Sequence, residues 1–250
     1  MPSVALRWLW AGMGVILISL GLQACKPDLE SHVAAFGRGG GTYHIDSHTI
    51  LQSLRQNELG LFTARDNGDE NEGSDLPPVQ WTQADYWSIA EGVYQQVFEE
   101  SVNDWKLTSM LFGLDCADVL YSPQQAVFEW YSVLDAREYR RLDRWINISP
   151  RQNKVDWGDS ELSPVRVDRA PINLSQIRVP VEEALRIAEK NGGQNIRTRF
   201  SNQCKIFASL ASGQWNGGWW ITYDGLKGGP ILFQITVDSH TGDFHIEPIR

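Results

Sequence analysis

The sequence predicts an α+β fold made of two similar units, each a helix packed on an antiparallel β-sheet. Three observations carry that expectation. Helical periodicity occurs twice, each stretch is followed by an aromatic-rich extended segment, and the two terminal hairpins align with each other without a gap. The composition is that of a globular chain: 250 residues, 42% hydrophobic and 21% charged, enough for one large or two small cores. Acidic residues outnumber basic ones, 31 to 22, for a formal charge of −9. Nucleic-acid affinity comes largely from neutralised phosphates, so this balance argues against a nucleic-acid partner. It also argues against a polybasic contact with anionic lipid.

The chain opens with one positive charge, Arg7, then an apolar run from Leu6 to Leu22 and small residues ahead of Cys25. That order is the grammar of an export signal. The run contains Gly12, Gly14, Ser19 and Gly21 and is at the short limit for crossing a hydrocarbon core of roughly 30 Å, which leaves a retained helix as the alternative. The tetrad Leu22-Gln23-Ala24-Cys25 resembles the lipobox of bacterial lipoproteins. The resemblance implies cleavage before Cys25, a thioether-linked diacylglycerol on its sulfur and a further acyl chain such as palmitate on its amino group. Two or more chains pass the threshold for stable membrane residence. Lys26 after the cysteine implies the outer membrane where the cell has two. An ordinary cleaved signal with a chance cysteine remains the other possibility.

Residues 25–45 are expected to form a flexible tether, because Pro27, Ala34, Ala35 and the run Gly37-Arg38-Gly39-Gly40-Gly41 are costly to order and bury little. Residues 46–80 follow as a short helix, with Ile50, Leu51 and Leu54 at helical spacing in His48 to Leu54, and an acidic loop. Asp66 to Asp75, DNGDENEGSD, reads as solvated; calcium is the alternative, without the alternating acids and terminal glutamate of an EF-hand loop.

The first unit spans 81–165. Thr82-Gln83-Ala84-Asp85 is a cap-like opening, and Tyr86, Ile89, Ala90, Val93 and Val97 lie on one helical face. The second spans 172–250. Its helix opens at Pro180, carries Glu182 and Glu183 in the first turn, buries Ala184, Leu185 and Ala188, and is expected to stop at Lys190-Asn191-Gly192-Gly193. Each helix is followed by an aromatic four residues before a cysteine, Phe112 to Cys116 and Phe200 to Cys204. Then come the extended segments Phe128 to Val133 and Trp219 to Tyr223, rich in β-formers. In the closing hairpins Ile146-Asn147-Ile148 and Val155 match Ile235-Thr236-Val237 and Phe244, and Asn153 falls on Gly242, the two residue types that best tolerate a left-handed turn.

From Ile177 to Ile249, the pattern ALRIAEKNGG, WWITY and FQITVDSHTGDF resembles a PepSY-type domain, with Val237-Asp238-Ser239-His240-Thr241-Gly242 as the strongest match. The resemblance covers under a third of the chain. It implies a helix on an antiparallel sheet, cystatin-like in outline, an extracytoplasmic setting and a role in restraining peptidases. It brings no catalytic residues. In the first unit Pro150-Arg151-Gln152-Asn153 replaces the Asp-Thr-Gly turn.

With Cys25 lipidated, Cys116 and Cys204 remain. An exported chain favours a bridge between them, particularly if equivalent positions face each other across a pseudo-twofold axis; two buried free thiols are the alternative. His44-Ile45-Asp46-Ser47-His48 would put three possible ligands on one side of a strand but offers no identified fourth, so neither a metal nor any other cofactor is expected. His240 and His245, beside the last turn, are expected in solvent. No nucleophile elbow, zinc-protease helix or phosphate-cradling loop is present, so no catalytic residues are assigned. Nine tryptophans follow the leader; Trp130, Trp145 and Trp220 read as core. Trp215 and Trp219 bracket Asn216-Gly217-Gly218 and are candidates for contact with a partner. The expected function is a lipid-anchored, non-catalytic protein- or peptide-binding module, acting by edge-strand addition or through an aromatic groove between the units. A structural subunit of an envelope assembly and an uncharacterised hydrolase are the alternatives.

Overall fold

Segments in which apolar and polar residues alternate at a period of two recur along the described chain, and they form one antiparallel sheet. The computed structural model describes residues 36–56, 63–64, 76–98, 102, 105–118, 122–135, 140–162, 171–211, 217–226 and 229–249. The strands are β1 (Phe36–His44), β2 (Thr63–Ala64), β3 (Lys106–Asp115), β4 (Gln125–Asp135), β5 (Arg140–Ser149), β6 (Lys154–Leu162), β7 (Cys204–Ala211), β8 (Gly218–Gly225), β9 (Ile231–Asp238) and β10 (Phe244–Ile246). The helices are α1 (Ile50–Arg55), α2 (Gln83–Phe98), α3 (Val181–Ala188) and α4 (Gln194–Arg199). The architecture is mixed α+β with a ten-stranded sheet in the order β10-β9-β8-β7-β3-β4-β5-β6-β1-β2. Two meanders run outward from the centre, where β3 and β7 pair antiparallel with Phe112 opposite Ala208. Among the described residues no helix is long and apolar enough to cross a membrane.

Alternation places Met110, Phe112, Phe128, Trp130, Ile146, Ile206, Ile221, Tyr223, Ile235 and Val237 in a continuous core. Helix α2 buries Tyr86, Ile89, Ala90, Val93 and Tyr94 in that core. Tyr86 meets Phe112 edge-on at 5.9 Å and Tyr94 meets Trp130 at 5.2 Å, which seats the helix over β3 and β4. Helix α3 buries Val181, Ala184, Leu185 and Ala188. The alternate strand residues, including Leu111, Val127, Trp145, Phe207 and Trp220, are half-buried.

The N-termini of α2 and α3 satisfy each other. Thr82 and Asp85 cap α2, the Asp85 carboxylate accepting from the Thr82 N–H and hydroxyl at 2.8 Å. The Gln83 side chain accepts the Val181 N–H at 3.0 Å, and the Glu182 carboxylate accepts the Gln83 N–H. Each helix thereby supplies an acceptor for an N–H that the other leaves without an intrahelical partner. Burial raises the pKa of Glu182, against the lowering effect of these bonds.

Several elements depart from the sequence-based expectation. The glycine run assigned to the tether is strand: Phe36–His44 is β1, paired antiparallel with β6 from Phe36 opposite Glu161 to His44 opposite Lys154. Glycine there fits a close approach, since a Cβ on Gly41 would lie 3.1 to 3.2 Å from the Trp157 indole. The short helix is Ile50–Arg55, begun after a turn in which Asp46 accepts the His48 N–H. The second helix stops where expected, within Lys190-Asn191-Gly192-Gly193, because Asn191 and Gly192 have non-helical backbone. A wide turn over Glu189–Gly193, with Gly192 at φ 137°, separates it from α4, a second short helix that the sequence did not predict. Gly193 is needed where the chain passes Tyr223, because a Cβ would lie 2.2 Å from the phenol oxygen. No groove separates two sheets, because the hydrogen-bonded β3–β7 pair joins the meanders into one.

Candidate functional site

Among the described residues β10 is the last strand of the sheet, and its backbone phase follows from two bonds. The Asp238 N–H reaches the Asp243 carbonyl at 2.7 Å, and the Glu247 N–H reaches the Gln234 carbonyl at 3.0 Å. In an antiparallel ladder these fix the hydrogen-bonded pairs, so Phe244 and Ile246 turn their N–H and C=O groups away from β9. Their side chains are also open, Phe244 47% and Ile246 46% exposed. Phe244 lies opposite Val237 and Ile246 opposite Ile235, so both extend the helix-covered apolar face. Asp243, His245 and Glu247 project to the other face, where Glu247 accepts the Thr236 hydroxyl at 3.1 Å and stands 4.0 Å from His245. Pro248 follows and has no N–H to donate.

The turn before β10 explains the Asp-x-x-Thr-Gly pattern. Asp238 accepts the backbone N–H groups of His240 and Thr241, both at 2.8 Å, and these bonds lower its pKa. Gly242 has φ 80°, and Asn153 in the corresponding turn has φ 48°. Left-handed backbone at these two positions is what glycine and asparagine accommodate.

At the opposite end of the central seam Cys116 and Cys204 form a disulfide with Cα atoms 5.2 Å apart. Cys116 follows β3, whereas Cys204 begins β7, so they occupy opposite ends of antiparallel neighbours. The expected equivalence of Phe112–Cys116 with Phe200–Cys204 does not hold: Phe112 is a buried strand residue, and Phe200 is an exposed residue just past α4. A buried ion pair braces the same region. Glu189 accepts from Arg197 at 2.6 and 2.9 Å and from the Tyr223 hydroxyl at 2.7 Å, while Arg197 also reaches the Cys116 carbonyl at 3.3 Å. Nearby, a depression of about 260 Å³ is lined by Gly113, Gln125, Phe207, Lys205, Asp115 and Arg151. Its charges compensate one another, with Arg151 2.7 Å from Asp118 and 3.8 Å from Asp115.

The other predicted site residues are placed as follows. Trp219 is fully buried, and its indole N–H donates to the Val179 carbonyl at 2.8 Å, so it is a core residue and not a partner contact. Trp215, Cys25 and the acidic loop Asp66 to Asp75 lie outside the described residues. Trp130 is buried, and Trp145 and Trp220 are half-buried. Asp46 caps the turn into α1, accepting from the His48 N–H and the Thr49 hydroxyl at 2.9 Å, bonds that lower its pKa. Among the described residues no group of three His, Cys, Asp or Glu side chains is placed to hold a metal ion. Within the same residues no serine or cysteine is hydrogen-bonded to a histidine, so no nucleophile–base pair is assembled.

Sequence reasoning missed Phe244 and Ile246 as a site. The available signal was the alternation Asp243-Phe244-His245-Ile246-Glu247 ahead of Pro248, a two-faced strand with a stop. No protein-family model matches the chain, and no curated protein matches it either.

Proposed function

We propose that this chain is a lipid-anchored, extracytoplasmic, non-catalytic module that binds a protein or peptide segment by strand addition at β10. The observation that carries the proposal is the outward-facing backbone of Phe244 and Ile246 on an accessible edge. The lipobox-like Leu22 to Cys25 supports the anchor. The Cys116–Cys204 disulfide supports an oxidising, extracytoplasmic setting. Restraint of a peptidase, which the PepSY resemblance implies, is one form such binding would take.

The body is further proposed to be two copies of one helix-plus-meander unit. What supports this is the sheet register. From Ile146 the ladder passes through Phe128 and Met110 to Leu210; from Ile235 it passes through Ile221 and Ala208 to Phe112. Matching Ile146 with Ile235 thus matches Met110 with Ala208 and Leu210 with Phe112, which is the exchange a twofold axis through Leu111 and Ser209 would produce. The disulfide lies off that axis, between non-equivalent positions.

The test is selection of random peptides on the immobilised full chain. Strand-forming sequences should be enriched on the native protein and lost on Ile246→Pro, which removes an outward N–H together with the isoleucine side chain and is tolerated at an edge. Equal enrichment on both would refute the reading.

A further inference from the structure

We infer that the segment received by β10 is an extended peptide of alternating basic and apolar residues, added antiparallel in the manner of β1 on β6. This rests on the binding-module reading above and specifies its ligand. The fold already contains one such addition. β6 follows β5 as β10 follows β9: Val155 lies opposite Ile148, and Phe244 lies opposite Val237. The outer side of β6 carries β1, a segment distant in sequence. The phase is also shared. The Ile45 N–H meets the Asn153 carbonyl at 2.9 Å, so two residues along, Val155 exchanges backbone bonds with Tyr43. Val155 therefore presents to β1 the groups that Phe244 presents outward.

The side chains on β1 show what such an edge receives. Tyr43 lies opposite Val155 and stacks on Trp157 at 6.3 Å, on the apolar face. Thr42 lies opposite Asp156 and donates its hydroxyl to it at 2.8 Å, on the polar face. Transferred to β10, apolar residues belong opposite Phe244 and Ile246, with a polar residue between them opposite His245. The flanks differ from the first edge. β6 has Lys154 where β10 has Asp243, and Gly158 where β10 has Glu247. Two carboxylates on one face call for basic residues opposite them, and the acidic chain adds long-range attraction of the same sign. A second copy paired antiparallel about His245 would set Asp243 against Glu247 twice, like charges directly opposed. Charge therefore favours a peptide of the form basic-apolar-polar-apolar-basic over self-pairing.

The experiment measures binding of fluorescent peptides to the solubilised full chain at neutral pH. One peptide has a Lys-Val-Thr-Val-Lys core, one a Glu-Val-Thr-Val-Glu core, and a third is the basic peptide N-methylated at both valines, whose amides would face β10. The basic peptide should bind on the order of tenfold tighter than the acidic one, the scale of two exposed ion pairs changed from attraction to repulsion. N-methylation should abolish binding, as should Ile246→Pro, with the melting temperature kept as the control for folding. Asp243→Asn with Glu247→Gln should bring the two unmodified peptides within about twofold of each other. Equal affinity for both in the native chain would overturn the charge inference while leaving strand addition standing. Undiminished binding of the N-methylated peptide would overturn the docking mode. Absence of binding by either unmodified peptide would overturn the underlying reading as well. Dimerisation abolished by Ile246→Pro, or Phe244 and Ile246 amides already protected from exchange in the free chain, would assign the edge to another occupant and refute the inference.

Discussion

Removing the Cys116–Cys204 disulfide should cost this protein more stability than any single hydrogen bond it contains. The bridge joins positions 88 residues apart. In the chain-entropy description, closing a loop of that length restricts the unfolded chain by about 4.6 kcal/mol at 25 °C. Both cysteines are almost fully buried, so Cys116→Ala with Cys204→Ala leaves two small voids costing about 1 kcal/mol each. The β3–β7 ladder and the Cys116 N–H to Cys204 carbonyl bond remain, so the fold itself is expected to persist. The double variant should lose about 6 to 7 kcal/mol in urea unfolding followed by tryptophan fluorescence. For a domain of this size that corresponds to a melting temperature lower by roughly 12 to 28 °C. Reduced native protein should fall between the variant and the oxidised form, since it loses the cross-link without losing the sulfurs. The urea dependence should steepen, because the uncrosslinked unfolded chain exposes more surface. A loss below about 1 kcal/mol with an unchanged slope would refute the reasoning and imply that the cross-link does little to restrict the unfolded chain.

Three further outcomes are expected. Glu189→Ala strands the buried Arg197 guanidinium and should cost about 3 to 5 kcal/mol, whereas Tyr223→Phe, which removes one hydrogen bond to the same carboxylate, should cost about 1 kcal/mol; similar losses in urea melts would contradict this ordering. Glu182→Gln keeps an acceptor for the Gln83 N–H and removes a carboxylate whose pKa burial raises. A raised folded-state pKa gives stability that is complete below the unfolded value and is lost as pH rises through the folded one. The variant should therefore be more stable than the native protein at pH 7 and converge with it in acid, and a pH-independent gap between their urea midpoints would sink the assignment. Cys25→Ser should move the protein from the membrane to the soluble fraction with no change in melting temperature, and continued sedimentation with membranes would remove the lipid anchor from the proposal.

The sequence disclosed local order better than long-range pairing. Tyr86, Ile89 and Val93 at helical spacing, and Ile146-Asn147-Ile148 with Asn153, located α2 and the first hairpin, because periodicity and turn chemistry act within a few residues. The glycine run of β1 was misread for the complementary reason. Gly39, Gly40 and Gly41 have no strand propensity of their own; they are ordered by β6 and by the Trp157 ring, more than a hundred residues away. Gly192-Gly193 was legible as a stop, but the short helix α4 after it was not, because the turn between them is set against Phe233 and Tyr223 on other strands. Trp219 was offered as a partner contact from its glycine-rich neighbourhood, yet Val179 provides a buried acceptor for its indole N–H. The candidate edge was legible only as an alternating pattern. Which strand ends a sheet depends on the order of all the others.

A short strand flanked by acids and closed by a proline also describes an edge defended against aggregation, so protection and recognition have to be told apart. Asp243, Glu247 and Pro248 serve both. The acids repel a second copy, and the proline limits how far any strand can extend. Phe244 and Ile246 do not serve protection, because exposed apolar side chains beside open backbone groups favour pairing. Val155 and Trp157, which stand opposite Ile148 and Ile146 as Phe244 and Ile246 stand opposite Val237 and Ile235, carry residues of the same character and are covered by β1. Side chains suited to a covered edge, on an edge that no described strand covers, are what selective pairing requires: apolar contacts to hold a guest strand and like charges to exclude the protein itself. Replacing Phe244 and Ile246 together with threonine separates the two roles. A purely defensive edge would lose nothing by the change and become more soluble, whereas a recognition edge would keep its fold and lose affinity for the basic peptide by about tenfold or more, the expected loss for two half-buried apolar contacts.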